Sequence, residues 1–173
     1  MATHHIQLKN SIGFTDEMIE CLQTGDQVLL SGEIYTARDA AHKRMIELLD
    51  SGKSPPFDYI GQAVYYTGPC PTPPNAVIGS CGPTTSCRMD KYSPKLIESN
   101  LRVMIGKGER NDKVFKAIKK HKGVYFTTVG GAGALLSLCV KKAEVIAFED
   151  LGAESIFKLT VEKMPLTVAI DSH

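Results

Sequence analysis

The chain has no excess of charge of one sign, no long apolar run and no paired set of cysteines. Its 173 residues carry 20 Lys and Arg against 19 Asp and Glu, a formal net charge of +1. Such balance gives no general electrostatic attraction to nucleic acid or an anionic membrane, so any anion recognition must come from a few placed cations. No stretch approaches the roughly 18 consecutive apolar residues of a membrane span. Residues 1–10, MATHHIQLKN, lack the apolar core of a signal peptide, and the expected compartment is the cytoplasm. The five cysteines, Cys21, Cys70, Cys81, Cys87 and Cys139, are odd in number and irregularly spaced. That fits a reducing environment better than a disulfide framework. Internal repeats and low-complexity segments are also absent. What is there is ordinary globular composition, 43% hydrophobic and 23% charged, which argues against disorder and predicts one domain over 1–173 with a sizeable core.

The first third reads as strand, short helix, strand, helix. An apolar run at 28–30 continues through Ile34 and Tyr35. Thr36 then offers an N-cap with Asp39 three residues on, and Ala41, Met45, Leu48 and Leu49 follow the spacing of one helical stripe. Gly52 predicts the stop, and Pro55 and Pro56 a loop. Beyond it, short apolar runs alternate with helical patterns, the signature of βα units around a largely parallel sheet. The expected strands are 63–66, 76–78, 101–105 and 124–129; the expected helices lie near 94–99, 112–121 and 134–140. Three strand-like runs at 144–148, 155–161 and 166–170 have no helix between them and predict an antiparallel or mixed part.

In an open α/β sheet, ligands gather where strands hand over to helix N-termini. The segment after 76–78 is GSCGPTTSCRMD, after 101–105 it is GKGER, and after 124–129 it is GGAGA. Glycines there let backbone N–H groups approach a ligand, and Arg88 and Lys107 add cations, so the constellation suits an anion. Arg38, read in the first turn of its helix, opposes the helix dipole unless an anion binds beside it. Each cation has an ordinary reading as well: Arg38 paired with Asp39 or a nearby acid, Arg88 and Lys107 as solvated loop residues. Thr84, Thr85 and Ser86 form either an anion-binding turn or a helix cap. GGAGA from Gly130 is half of a dinucleotide fingerprint, but position 136 is Leu136, so a close strand-to-helix turn is expected. Cys70, Cys81 and Cys87 match no tight metal spacing and read as incidental thiols. His42, four residues after Arg38 on one helix face, orients a ligand or is a hydrogen-bonded boundary histidine.

Together, YTARDAAHKR at 35–44, CGPTTSCRMD at 81–90, IGKG at 105–108 and TVGGAGALL at 128–136 resemble, in that order, the beta subunit of class I fumarate hydratase. The same pattern belongs to the beta subunit of L-tartrate dehydratase and to the C-terminal half of single-chain iron-sulfur fumarases. The match covers essentially the whole chain.

The resemblance implies an α/β fold, a three-layer β/β/α swivelling domain with a mainly parallel sheet and additional strands. It implies a partner alpha subunit that carries a 4Fe-4S cluster, with no metal held by this chain, and reversible hydration of fumarate to L-malate at a site shared by the two. By motif position, Arg38, Arg88 and Lys107 match the family's dicarboxylate-binding cations. Thr84 matches its threonine implicated in proton transfer at carbon 3, with Asp39, His42 and Thr85 in support. The alternatives are the beta subunit of L(+)-tartrate dehydratase and a free-standing small-anion or nucleotide-binding module.

Overall fold

A computed structural model describes residues 1–9, 12–128 and 132–173. The strands are β1 (Thr3–Gln7), β2 (Gln27–Thr36), β3 (Ala63–Tyr65), β4 (Val103–Gly106), β5 (Val124–Thr127), β6 (Val140–Ala147) and β7 (Ile156–Ile170). The helices are α1 (Asp16–Glu20), α2 (Asp39–Asp50), α3 (Ser93–Glu98), α4 (Asp112–His121) and α5 (Gly133–Ser137), with 3-10 turns at Ser86–Met89 and Glu149–Glu154. No helix among the described residues is long and apolar enough to cross a membrane.

All seven strands form one sheet in the order β1-β2-β3-β4-β5-β7-β6. The first four pairings are parallel and those of β7 are antiparallel. This is the expected α/β class, but the layered arrangement needs correction. β7 also pairs with β2, from Gln27↔Thr167 to Tyr35↔Lys158, so β2, β3, β4, β5 and β7 close into a five-stranded barrel. The physical reason is the length of β7: 15 residues reach roughly 50 Å. One edge of β7 runs along β2, while its other edge serves β6 up to Val161 and β5 from Thr167 onward. The runs expected at 155–161 and 166–170 are therefore one strand.

Alternation along the short strands sends successive residues to opposite faces. Ala63, Tyr65, Val103, Ile105, Val124 and Phe126 join the core inside the barrel with Leu30, Ile34, Leu159 and Val168. Val64, Met104 and Tyr125 point outward into a second core beneath α2, α3 and α4, which includes Ala41, Met45, Leu96 and Ile118. Two cores share one sheet, and the helices cover it from outside.

Local chemistry explains most boundaries. α4 begins at Asn111, whose side chain accepts from Val114 N at 2.9 Å, and ends in Lys119, Lys120 and His121. α2 ends at Asp50 with Ser51 as its C-cap, and the expected stop Gly52 follows with φ of +71°. Its start differs, because Thr36 is not the cap. The Thr36 hydroxyl is buried at the end of β2, donating to Ser155 O and accepting from Phe157 N. The cap position falls to Arg38, in extended conformation and without a side-chain cap bond. The strand expected at 76–78 is absent: Pro73 and Pro74 precede Asn75, which is left-handed at φ +61°, and Ala76 N closes a turn onto Pro73 O. Residues 144–147 belong to the longer β6, which begins at Val140, and the helix expected near 134–140 is α5, ending at Ser137. Val129, the expected end of β5, lies outside the described residues, as do Gly130 and Gly131.

Candidate functional site

The parallel strands β2, β3 and β4 deliver their carboxyl ends side by side. Ala37 N donates to Tyr65 O at 3.1 Å, and Tyr66 N to Ile105 O at 2.8 Å. The loop after β3 then returns to these ends. Thr84 N donates to Tyr66 O at 2.7 Å and Ser86 N to Lys107 O at 2.9 Å, while Thr85 and Lys107 form a parallel β-bridge. Lys107 N in turn donates to Ser86 Oγ at 3.1 Å. The GPTTS turn is thus stitched by backbone hydrogen bonds to the ends of β3 and β4, which brings Thr84, Thr85 and Lys107 together.

Arg88 follows in the 3-10 turn Ser86–Met89 and reaches across to α2, its Nη2 donating to Asp39 Oδ2 at 2.7 Å. The pair is half-exposed. The partner foreseen for Arg38 is therefore taken by Arg88. Arg38 lies over the loop after β3, where a Cβ on Gly68 would come within 2.7 Å of its Nη1, so a side chain there would displace the guanidinium. Arg38 Nε is buried with no hydrogen-bond partner among the described residues. Within those residues neither Arg38 nor Lys107 forms an ion pair with a carboxylate. Two cations without an acidic partner among the described residues, and a third held by one partly exposed acid, make a surface that can accept carboxylates.

His42 is not at a boundary but wholly buried. Its Nδ1 donates to Arg38 O at 2.8 Å, and its ring packs edge-on against Tyr66 at 5.2 Å. Burial holds its pKa down to about 4, so the ring is neutral at physiological pH, with Nε2 unprotonated and lacking a partner among the described residues. It fixes the carbonyl of the Arg38 cap.

A cleft of about 890 Å³ is lined by Asp39, Cys87, Arg88, Lys91 and Lys113, among others. Arg38, Thr84 and Lys107 do not line it, so it joins only two of the candidate residues. Among the described residues, no three His, Cys, Asp or Glu side chains are arranged to hold a metal ion. Burial pushes the Cys81 thiol up to about 11 and raises that of Cys139, which disfavours the iron-binding thiolate at those two positions. Near the GGAGA segment, Gly133 O accepts from Cys81 N at 3.2 Å, a close backbone packing of α5 against the loop.

Sequence reasoning passed over Arg110 and Asp90, which form an ion pair at 2.7 Å with the Arg110 side chain entirely buried. Both stand inside the segments that carry the candidate residues, and the available signal was a second cation, three residues after Lys107, just before the α4 cap.

Comparison with known proteins fits this geometry. The family model described as Fumarase C-terminus matches residues 1–173. A putative L(+)-tartrate dehydratase subunit beta from Methanocaldococcus jannaschii is 38% identical over 165 residues, 92% of this chain and 85% of that protein. Fumarate hydratase 2 of Leishmania major is 35% identical over 169 residues, 96% of this chain. An anaerobic class I fumarate hydratase of Escherichia coli is 39% identical over 145 residues, 82% of this chain. The chain spans only 30% and 26% of the length of these last two. The motif order, the strand ends that carry it and the full-length match agree, and the chain belongs to the Fumarase C-terminus family.

Proposed function

We propose that this chain is the beta subunit of a 4Fe-4S-dependent hydro-lyase that reversibly hydrates fumarate to L-malate. The observation that carries the reading is the backbone stitching of Thr84 and Thr85 to Lys107, with Arg88 tied to Asp39 beside Arg38. Arg38, Arg88 and Lys107 bind the two carboxylates of the substrate. Arg presents a planar fork that matches a carboxylate, and Lys a compact charge. A carboxylate oxygen near Arg38 would offset the cost of its orphaned Nε, an unmade hydrogen bond being worth about 1–3 kcal/mol.

Removing the carbon-3 proton of malate builds negative charge on the adjacent carboxylate, so cations fixed around it bind the transition state more tightly than the ground state. Thr84 takes that proton or stands in the relay that does. A neutral hydroxyl is a poor base, and the Lys107 charge close to its turn favours the alkoxide form. No three described His, Cys, Asp or Glu side chains group to hold a metal, so the reading assigns the cluster to a separate alpha subunit, where its iron would supply Lewis-acid polarisation of the leaving hydroxyl.

The test is exchange of the carbon-3 hydrogen of malate with solvent deuterium in the complex with the alpha subunit. Thr84→Ser keeps measurable exchange, while Thr84→Val loses roughly hundredfold to ten-thousandfold in kcat, the scale of a general base. Exchange by Thr84→Val at the unmodified rate moves the base elsewhere. A second reading, dehydration of L(+)-tartrate, is favoured by the relative whose length is matched over 85%. Anaerobic kinetics with fumarate, malate and both tartrate enantiomers decide between the two.

A further inference from the structure

We propose that Arg110 is the positioning residue of this site, holding the Thr84–Arg88 turn and the Lys107 loop in one geometry through a buried polar unit. The proposal rests on the catalytic reading above. Arg110 lies between β4 and α4, and its Nε donates to Asp90 Oδ1 at 2.7 Å. Its Nη2 donates to Ser93 Oγ at 2.7 Å and to the Tyr66 hydroxyl at 3.3 Å. The guanidinium also lies 5.2 Å from the Tyr66 ring and 4.8 Å from the Tyr125 ring. Asp90 closes the Ser86–Met89 turn, and its second oxygen accepts from Asn111 N at 2.8 Å. One carboxylate thus straps the end of the Arg88 turn to the residue that caps α4.

The other end of the unit reaches Lys107. The Tyr125 hydroxyl is 2.8 Å from both Ser86 Oγ and the Gly108 carbonyl oxygen. A carbonyl can only accept, so the single phenol proton serves Gly108, and the Ser86 hydroxyl donates to Tyr125 while accepting from Lys107 N. Ser86 occupies the space where any side chain on Gly106 would start, so the turn seats directly on the end of β4. In this unit Ser86, Lys107 N and the Tyr125 hydroxyl join the turn to the Lys107–Gly108 loop and the sheet, while Arg110 bonds Asp90, Ser93 and Tyr66 and lies over the Tyr125 ring. Arg110 itself has no hydrogen bond or ion pair to Arg38, Thr84, Arg88 or Lys107 among the described residues. It acts through its neighbours. A lysine keeps the charge but cannot present the planar fork that reaches Asp90, Ser93 and Tyr66 at once.

The test compares Arg110→Lys with the unmodified chain in the complex with its cluster-bearing partner, by kinetics and by backbone hydrogen exchange. The expected result is exchange about tenfold faster in segments 84–90 and 106–109, with β2 and β7 unchanged. It also includes a kcat lowered about tenfold or more at retained fold, and an effect much smaller once Lys107 is already methionine. Unchanged exchange in those two segments overturns the proposal, as does a kcat/KM within about twofold while Lys107→Met is severely impaired. If Arg88→Gln and Lys107→Met both retain activity, the catalytic reading fails instead, and the exchange measurement still decides whether Arg110 clamps the two loops. Should Arg110→Lys not fold, Tyr125→Phe removes one hydroxyl from the same unit, with the same loosening of 106–109 expected and its absence counting against the proposal.

Discussion

Arg88 and Asp39 are half-exposed partners, and such pairs contribute little to stability, on the order of 0–1 kcal/mol. Arg88→Gln and Lys107→Met are therefore expected to leave the thermal midpoint nearly unchanged. The same substitutions lower kcat/KM by about tenfold to a thousandfold, the loss of a charge-assisted contact of roughly 1.5–4 kcal/mol. A large fall in stability with activity per folded molecule intact would make them structural residues. His42 behaves in the opposite way, because burial depresses its pKa from 6.5 to about 4. A histidine depressed by folding stabilises the fold above pH 6.5, and that contribution is lost as the pH falls toward 4, where the unfolded chain binds the extra proton. The expected loss over that window is roughly 3 kcal/mol. Thermal unfolding of His42→Phe should show a flatter midpoint between pH 6.5 and 4 than the unmodified chain, and parallel curves would refute the assignment.

The start of α2 carries a cation where helices favour Ser, Thr, Asp or Asn, and Arg38 makes no side-chain cap bond. Arg38→Ser supplies such a cap, so its stability is expected to hold or rise by up to about 1 kcal/mol while kcat/KM falls. A midpoint several degrees lower would show that the guanidinium instead holds the Gly68 loop in place. Helix α4 was legible in the sequence because Asn111, Asp112 and the terminal lysines are local signals that act within one turn. The single strand β7 was not, because Pro165 reads as a break. That proline sits where the outer edge of β7 passes from β6, paired to Val161, to β5, paired from Thr167. Its missing N–H falls between the two ladders. The β2–β7 closure carries no local signal, since its partners lie 120 or more residues apart in the chain. Arg38 and Lys107 were readable as chemistry at strand ends and Thr84 and Arg88 from their motif, although the strand expected before it is absent; Arg110 was not, because its role depends on burial against Asp90, Tyr66 and Tyr125.

The accessible surface of the molecule is 8400 Å², close to the roughly 8,300 Å² of a folded monomer of 18.8 kDa. Two apolar cores share a closed sheet, so the chain has the burial needed to fold by itself. The candidate cations, in contrast, lie on loops and turns beside the strand ends, and the 890 Å³ cleft takes in Arg88 but not Arg38, Thr84 or Lys107. Stability and activity are therefore expected to separate at the level of the whole molecule. The isolated chain should unfold in one cooperative transition, retain no stoichiometric iron after chelation and hydrate no fumarate. Activity should appear on titration with a cluster-bearing alpha subunit and saturate at a fixed ratio of the two chains. The addition should also slow backbone exchange in 84–90 and 106–109, because a second surface then covers the cations. Fumarate turnover by the isolated chain at the rate of the complex would give it a complete active site and refute the shared one. Retained iron and sulfide that require three of its cysteines would assign the cluster to this chain.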